Sequence, residues 1–198
     1  MTFRQFIAKR QYLAVTVTIL VLIMLVCQWL VSIAGSGVSL DLLAFYNQRM
    51  GQPAWQIISA HFVHLDWWHL GANSVAFVAA CGLFWPLLTT TRLLTLVVIG
   101  ALGACSATVL IGPASSFVGF SALTHTIVSF ATIATLRNRF DLRPAVGWLM
   151  LIAIIVKSVV ELTPFNNQHW LAQPVAAEAH LGGLVVGVIV GLWVFRHD

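Results

Sequence analysis

Ser121 and His180 are the residues of this chain whose types and settings could do covalent chemistry. Each lies near the start of a long apolar segment, Ser121 in the run GFSALTH and His180 in AHLGG. A serine hydroxyl becomes a nucleophile when a base accepts its proton, and histidine has the unperturbed pKa that suits this task. A lone serine in a membrane helix is more often structural, whereas an intramembrane histidine indicates function. The pair predicts a hydrolase that works below a lipid surface.

His69 and Asn73 are four residues apart in another apolar segment and would share one helix face. An attacked carbonyl develops negative charge, and each preorganised donor aimed at that oxygen contributes about 3 kcal/mol. An asparagine amide and a histidine ring N–H are such donors, so we expect these two residues to stabilise an oxyanion. The alternative is that they only form hydrogen bonds between helices.

The composition indicates the solvent in which these residues work. The 198-residue chain is 60% hydrophobic and 8% charged, whereas soluble domains carry about a quarter charged residues. We therefore expect one all-α, polytopic membrane domain over residues 1–198, with the lipid bilayer as its surroundings. The net charge of +4 comes largely from cations in short loops, which indicates membrane topology and no nucleic-acid binding.

Six mostly apolar runs are long enough, at about 18 residues or more, to cross a bilayer as helices. The long connection between the first two runs, residues 35–65, mixes apolar and aromatic residues and is expected to lie in the membrane interface. The sequence thus predicts a six-transmembrane-helix bundle. Its spans are approximately residues 12–34, 66–88, 93–111, 118–136, 145–162 and 175–195.

The placement of lysine and arginine predicts the orientation of these spans. With a cytoplasmic N-terminus, the outer loops carry only Arg49, which is a strong positive-inside bias. Both termini are therefore expected in the cytoplasm. Spans two, four and six would then run inward, and His69, Ser121 and His180 would share one layer roughly 4–8 Å below the outer boundary. The cations on the inner side are Arg4, Lys9, Arg10, Arg92, Arg137, Arg139, Arg143 and Arg196.

A stripe of glycines follows His180 on the sixth span. Gly183, Gly187 and Gly191 repeat every four residues, a spacing that lets two helix backbones approach closely. On its own such a stripe indicates packing only. Because a serine and a histidine on different spans must touch to react, we expect this packing to serve the chemistry.

Three further polar residues have candidate roles. His125 lies one turn beyond Ser121 and is either an accessory residue of the site or part of a polar layer. Lys157 and Glu161 have i,i+4 spacing on the fifth span. Since a lone charge in the bilayer costs about 3 kcal/mol, we expect them to form a structural ion pair. Glu178 is two residues from His180, a poor spacing for orienting it on a helix, so a Ser–His dyad without a carboxylate is expected.

A zinc-dependent intramembrane hydrolase is an alternative, because imidazole is a usual zinc ligand. No His-Glu-x-x-His run occurs and acidic residues are few, so the dyad, with no metal and no other cofactor, is the leading hypothesis. The histidines that could supply ligands are His61, His64, His69, His125 and His180.

These motifs together resemble the rhomboid intramembrane serine proteases. The likeness lies in the runs HLGAN on span two, GFS on span four and AHLGG on span six, and it covers about residues 12–195. The resemblance implies that Ser121 is the nucleophile and His180 the general base. It also implies His69, Asn73 and the Ser121 backbone N–H as oxyanion stabilisers.

The same resemblance gives His64, which often opens span two in the family, a structural accessory role. The chain departs from the family pattern in three respects, one of which is that the aromatic residue often packed beside the catalytic histidine from span five has no clear counterpart. Ala122 follows the serine where glycine is usual, and the tryptophan–arginine pair of the first rhomboid loop is not evident.

A finer resemblance is carried by the spacings Ser121-x3-His125, Glu178-Ala-His180 and Lys157-x3-Glu161, and by the small size. These features are similar to rhombosortases, a compact bacterial branch linked to proteins with a Gly-Gly C-terminal sorting tail. The resemblance implies a bacterial inner-membrane enzyme with its site open to the periplasm and with transmembrane or C-terminally tailed proteins as substrates. A catalytically inactive, client-binding rhomboid-like scaffold stays open as an alternative.

Overall fold

In a computed structural model of the protein, the described residues are 3–35, 42–46, 53–112, 116–137, 144–161 and 176–195. A 3₁₀ turn over Trp85–Leu87 lies between the helices Trp67–Leu83 and Thr90–Ile111. Every predicted span overlaps one long helix, so hydropathy located these elements, although the first helix starts at Phe3, nine residues before the predicted span 12–34. The helices are α1 (Phe3–Ala34), α2 (Gln56–Ser59), α3 (Trp67–Leu83), α4 (Thr90–Ile111), α5 (Ser121–Leu136), α6 (Pro144–Glu161) and α7 (Ala177–Val194).

Among the described residues, three segments are long and apolar enough to cross a membrane by length and composition: helix α4, helix α7, and the part of α1 from Arg10 to Ala34. Helix α5 is apolar but shorter. The mostly helical architecture agrees with the predicted fold class, whereas the count of six crossings and the cytoplasmic termini stay predictions. Four of the cations behind the predicted orientation lie outside the described residues: Arg49, Arg139, Arg143 and Arg196.

The predicted interfacial connection, residues 35–65, contains regular structure in its described part. Strand β1 (Phe45–Tyr46) pairs antiparallel with β2 (Ser116–Phe117), and Phe45 lies opposite Phe117. The two aromatic rings pack with their centroids 5.3 Å apart. This small sheet ties the connection to the segment that leads into α5.

Helix starts place the three candidate site residues in first turns. The Asp66 side chain accepts a hydrogen bond from the His69 backbone N–H at 2.6 Å, so α3 starts at Trp67 and His69 is its third residue. Helix α7 starts at Ala177, which makes His180 its fourth residue. Helix α5 starts at Ser121 itself, so the predicted start near residue 118 is wrong. The reason is Gly119, whose φ of +117° is left-handed and cannot continue a right-handed helix.

Helix α5 is the centre of the bundle. It packs most extensively against α7 and also contacts α3, α4 and α6. Phe130 and Ile127 of α5 are fully buried, as expected for a helix that is surrounded by others. In contrast, apolar side chains such as Val15 on α1 and Leu110 on α4 are exposed, which suits surfaces that face lipid.

Candidate active site

The backbone before α5 presents Ser121 at the start of its helix. The Gly119 N–H donates to the Ala60 carbonyl at 2.8 Å, and the Phe120 N–H donates to His64 Nε2 at 3.4 Å. A Cβ added at Gly119 would lie 2.8 Å from Cε1 of His69. Glycine is therefore required at this position for both its φ and the close approach of the imidazole.

Ser121 and His180 are in direct contact. The Ser121 Oγ lies 2.6 Å from Nε2 of His180, a distance suited to proton transfer from a hydroxyl to a base. The His180 side chain is buried, with 6% of the residue exposed. The residues come from α5 and α7, and the structure brings together the pair on which the sequence prediction depends.

Glycines on α7 allow this contact. A Cβ added at Gly183 would overlap the carbonyl oxygen of Ala122, and one added at Gly187 would overlap that of Thr126. Further along the same stripe, a Cβ at Gly191 would lie 2.7 Å from Cβ of Ile133. The predicted glycine stripe thus faces α5 at backbone-contact distance.

A second glycine contact on α7 was not found from the sequence. Gly182 lies against the backbone of Gly103 on α4, and an added Cβ would overlap the Gly103 carbonyl. Helix α7 is thus wedged between α4 and α5, which restricts where His180 can lie. The Gly103–Gly182 contact has no periodic signal in the sequence, because one glycine on each helix is enough for the two backbones to approach and no repeat is needed.

Four residues form what we call the base side of Ser121: His125, Lys157, Glu161 and His180. Nδ1 of His180 lies 2.7 Å from Oε2 of Glu161, and the Lys157 ammonium donates to Oε1 of Glu161 at 2.5 Å. Lys157 Nζ also lies 3.2 Å from Nε2 of His125. His125 Nδ1 lies 2.8 Å from the Ser121 carbonyl oxygen. The His125 and His180 rings stack, with centroids 4.4 Å apart and an interplanar angle of 12°.

The contact between Glu161 and His180 differs from the expectation of a dyad without a carboxylate. Lys157 and Glu161 do form an ion pair, but Glu161 also reaches the base with its second oxygen. The i,i+4 spacing accounts for the ion pair within α6, whereas contact with His180 depends on how α6 packs beside α7. Glu178 is buried in the first turn of α7, and the carboxylate at His180 Nδ1 is that of Glu161 instead.

Three residues form what we call the oxyanion side: His64, His69 and Asn73. Asn73 is buried, and its amide nitrogen donates to the His69 carbonyl at 3.0 Å. His69 and Asn73 both face the backbone of Gly119, two residues before Ser121. The His64 and His69 rings pack edge to face, with centroids 5.1 Å apart.

Part of the oxyanion side lacks hydrogen bonds. Nδ1 of His64 and Nδ1 of His69 are buried with no hydrogen-bond partner among the residues that the structure describes. His64 precedes α3, and burial lowers its pKa to about 3, so its ring is neutral at physiological pH. His64 Nε2 accepts the bond from the Phe120 N–H, and the ring proton is therefore on Nδ1.

The zinc alternative meets a specific obstacle. Within the part of the chain that the structure describes, two of the five predicted ligand histidines, His125 and His180, join a group that could hold a metal. Glu161 is the third member, and the ligand atoms lie within 4.8 Å of one another. The Lys157 ammonium already contacts two of those residues, Oε1 of Glu161 at 2.5 Å and Nε2 of His125 at 3.2 Å. A divalent cation would have to displace this positive charge.

Comparison with known proteins identifies the family of the chain. Residues 51–197 match the Rhomboid domain family, a region that includes α3 to α7 and every residue of the base side and the oxyanion side. No curated protein shows significant similarity to the chain. Because the family match spans well over half of the sequence, this chain belongs to the rhomboid family of intramembrane serine proteases.

Proposed function

We propose that this protein is an intramembrane serine endopeptidase in which Ser121 is the nucleophile and His180 the general base. The observation that carries the proposal is the 2.6 Å contact between Ser121 Oγ and His180 Nε2, in a partly buried site built by two closely packed helices. The rhomboid match supports the reaction class.

The reaction would proceed through an acyl-enzyme. Ser121 Oγ attacks the scissile carbonyl carbon as its proton passes to His180 Nε2, and the imidazolium then protonates the leaving amine. A water molecule, deprotonated by His180, hydrolyses the resulting ester and regenerates the hydroxyl. During both steps His69, Asn73 and the Ser121 N–H would stabilise the oxyanion. The Ser121 N–H is suited to this because the first N–H groups of a helix lack intrahelical partners.

We propose a six-span topology with both termini in the cytoplasm. His69, Ser121 and His180 lie in the first turns of α3, α5 and α7, which the positive-inside bias would place at the outer side of the membrane. The site would then open to the periplasm of a bacterial inner membrane. Water for hydrolysis would enter a polar cavity from that side, because lipid cannot supply it.

The proposed substrates are membrane-anchored proteins with a hydrophobic C-terminal tail preceded by Gly-Gly, as in rhombosortase-type processing. Support comes from the spacings Ser121-x3-His125 and Glu178-Ala-His180. A substrate helix must unwind before the half-buried Ser121 can reach its carbonyl. Each glycine weakens a helix by about 1 kcal/mol relative to alanine, so a Gly-Gly pair beside the tail would ease that step.

Co-expression with a Gly-Gly-tailed client tests the proposal. We expect the wild type to process the client, and Ser121→Ala and His180→Ala to leave it intact. Ser129→Ala is the matched control, because Ser129 is a buried serine on the same helix whose Oγ has no hydrogen-bond partner among the described residues. Processing by Ser121→Ala would refute the assignment. If wild type and Ser121→Ala functioned equally well in cells and neither cleaved the client, a client-binding scaffold would be favoured instead.

The tail specificity is tested separately from the chemistry. We expect a client whose Gly-Gly is replaced by Ala-Ala or by Leu-Leu to be cleaved poorly by the wild type, because both residues favour the helix more than glycine does. Equal cleavage of all three clients would exclude rhombosortase-type specificity while leaving the Ser121–His180 mechanism intact.

A further inference from the structure

We infer that Glu161 is a positioning residue that orients the His180 base, and that Lys157 and His125 hold Glu161 in place through a closed ring of hydrogen bonds. The ring starts at the Ser121 hydroxyl, passes through His180, Glu161, Lys157 and His125, and returns to the Ser121 carbonyl. This inference rests on the proposed function, since it assigns a role beside the Ser121–His180 pair.

The direction of each hydrogen bond on the His125 half of the ring follows from chemistry alone. A lysine ammonium can only donate, so Nε2 of His125 must accept from Lys157. The ring proton of neutral His125 is then on Nδ1, which donates to the Ser121 carbonyl, an obligate acceptor. No conflict arises, because the donor-only and acceptor-only groups lie at opposite nitrogens of one imidazole.

The His180 half follows in the same way. A carboxylate can only accept, so Nδ1 of His180 carries the proton that is donated to Oε2 of Glu161. Nε2 of His180 is left with its lone pair directed at the Ser121 hydroxyl, 2.6 Å away. This is the tautomer that a general base requires, and a carboxylate fixes it in the same way in Ser–His–Asp triads.

The charges around the ring are arranged for the imidazolium intermediate. When His180 accepts the Ser121 proton it becomes a buried cation, which is costly without a partner. Glu161 supplies the counter-charge, and its side chain is largely buried, with 12% exposed. Lys157 contacts the other oxygen of the same carboxylate, so the free protein contains one balanced ion pair and the protonated base has a partner in place.

The alternative is that Glu161 serves only as the ion-pair partner of Lys157. The geometry argues against this alternative. Its two oxygens are divided, one to Lys157 and one to His180, at 2.5 and 2.7 Å. Glu161 is also the last residue of α6, whereas His180 is in the first turn of α7. The carboxylate thus fixes the base from a different helix, which an internal ion pair of α6 does not require.

The test uses the full-length protein in detergent and a serine-directed fluorophosphonate as the probe. We expect Glu161→Gln to lower the maximal labelling rate by about 10³-fold or more, as when the orienting carboxylate of a triad is lost. The half-saturating probe concentration should stay within about threefold, because removing an interaction made only in the transition state lowers the rate and not ground-state binding. Glu161→Asp, which keeps the charge, should restore part of the rate.

Lys157→Met is the matched variant. It breaks the same ion pair but leaves Glu161 beside His180. Its maximal labelling rate should exceed that of Glu161→Gln by at least about tenfold, because the rate depends on the orientation of His180 and not on the ion pair. Equal losses in the two variants, or a wild-type rate in Glu161→Gln, would overturn the inference. A wild type that is not labelled at all would overturn the proposed function instead, which keeps the two failures distinct.

Discussion

The two sides of Ser121 differ in how their polar groups are satisfied. On the base side, hydrogen bonds of 2.5–3.2 Å link His180, Glu161, Lys157 and His125 back to Ser121. On the oxyanion side, Nδ1 of His64 and Nδ1 of His69 are buried without a partner among the described residues. One side is closed on itself, whereas the other retains unused hydrogen-bonding capacity.

This difference matches the two tasks of acyl transfer. A base must hold one orientation and one tautomer before the substrate arrives, which a closed network provides. Oxyanion donors act on charge that exists only during the reaction, so the proposed donors, which are His69, Asn73 and the Ser121 N–H, would gain a bond to the oxyanion in the transition state. A buried donor without a partner costs about 1–3 kcal/mol, and this is the stability that such a site gives up for preorganisation.

Loss of a donor on the oxyanion side is expected to have a large effect, exceeded on the base side only by that of Glu161→Gln. His69→Ala and Asn73→Ala should each lower kcat by about 10²–10³-fold with little change in KM, because each removes a donor that acts mainly in the transition state. The measurement is steady-state cleavage of a tailed client in detergent. Ser74→Ala on the same helix is the control, since the Ser74 hydroxyl has no hydrogen-bond partner among the described residues. A raised KM with unchanged kcat would mean that the two sides differ in substrate binding and not in catalysis.

A smaller effect is expected when the base side is displaced as a whole. In Gly183→Ala the new Cβ would overlap the Ala122 carbonyl, so α7 must move away from α5. We expect a loss of about 10²-fold in kcat, because a shift of reacting groups by about 1 Å has that effect. Gly71→Ala is the matched control: Gly71 is also helical, and nothing lies within 4 Å of its added Cβ. Equal activity of both variants would mean that the glycine stripe does not set the Ser121–His180 distance.

The smallest effect concerns His64 and the pH dependence of stability. Unfolded histidine takes up a proton below about pH 6.5, whereas the buried ring, with its pKa lowered to about 3, stays neutral. Protonation therefore favours the unfolded state as the pH falls from about 6.5 towards 3. For one histidine the free energy of unfolding falls by about 1.4 kcal/mol by pH 5.5. We expect the unfolding midpoint of His64→Gln to fall less steeply between pH 7.5 and 5.5 than that of the wild type. If the unfolding midpoints of wild type and His64→Gln fell equally steeply with pH, a neutral His64 in the folded protein would be contradicted.

Much of this arrangement could be predicted from the sequence because it depends on local pattern. Hydropathy located the six long helices, the first-turn positions of His69 and His180 followed, and i,i+4 spacing gave the Lys157–Glu161 pair. The unpredicted parts depend on packing between helices. Neither the Glu161–His180 contact nor the Gly103–Gly182 contact has a local signal. The start of α5 at Ser121 depends on the φ of Gly119, which hydropathy does not report.

The most direct test of the central claim, that His180 activates Ser121, is to locate the adduct of a serine-directed fluorophosphonate by mass spectrometry of the purified protein. We expect wild type and Ser129→Ala to carry the adduct on Ser121, and Ser121→Ala and His180→Ala to carry none. An adduct on a different serine, or labelling of His180→Ala at the wild-type rate, would contradict the claim.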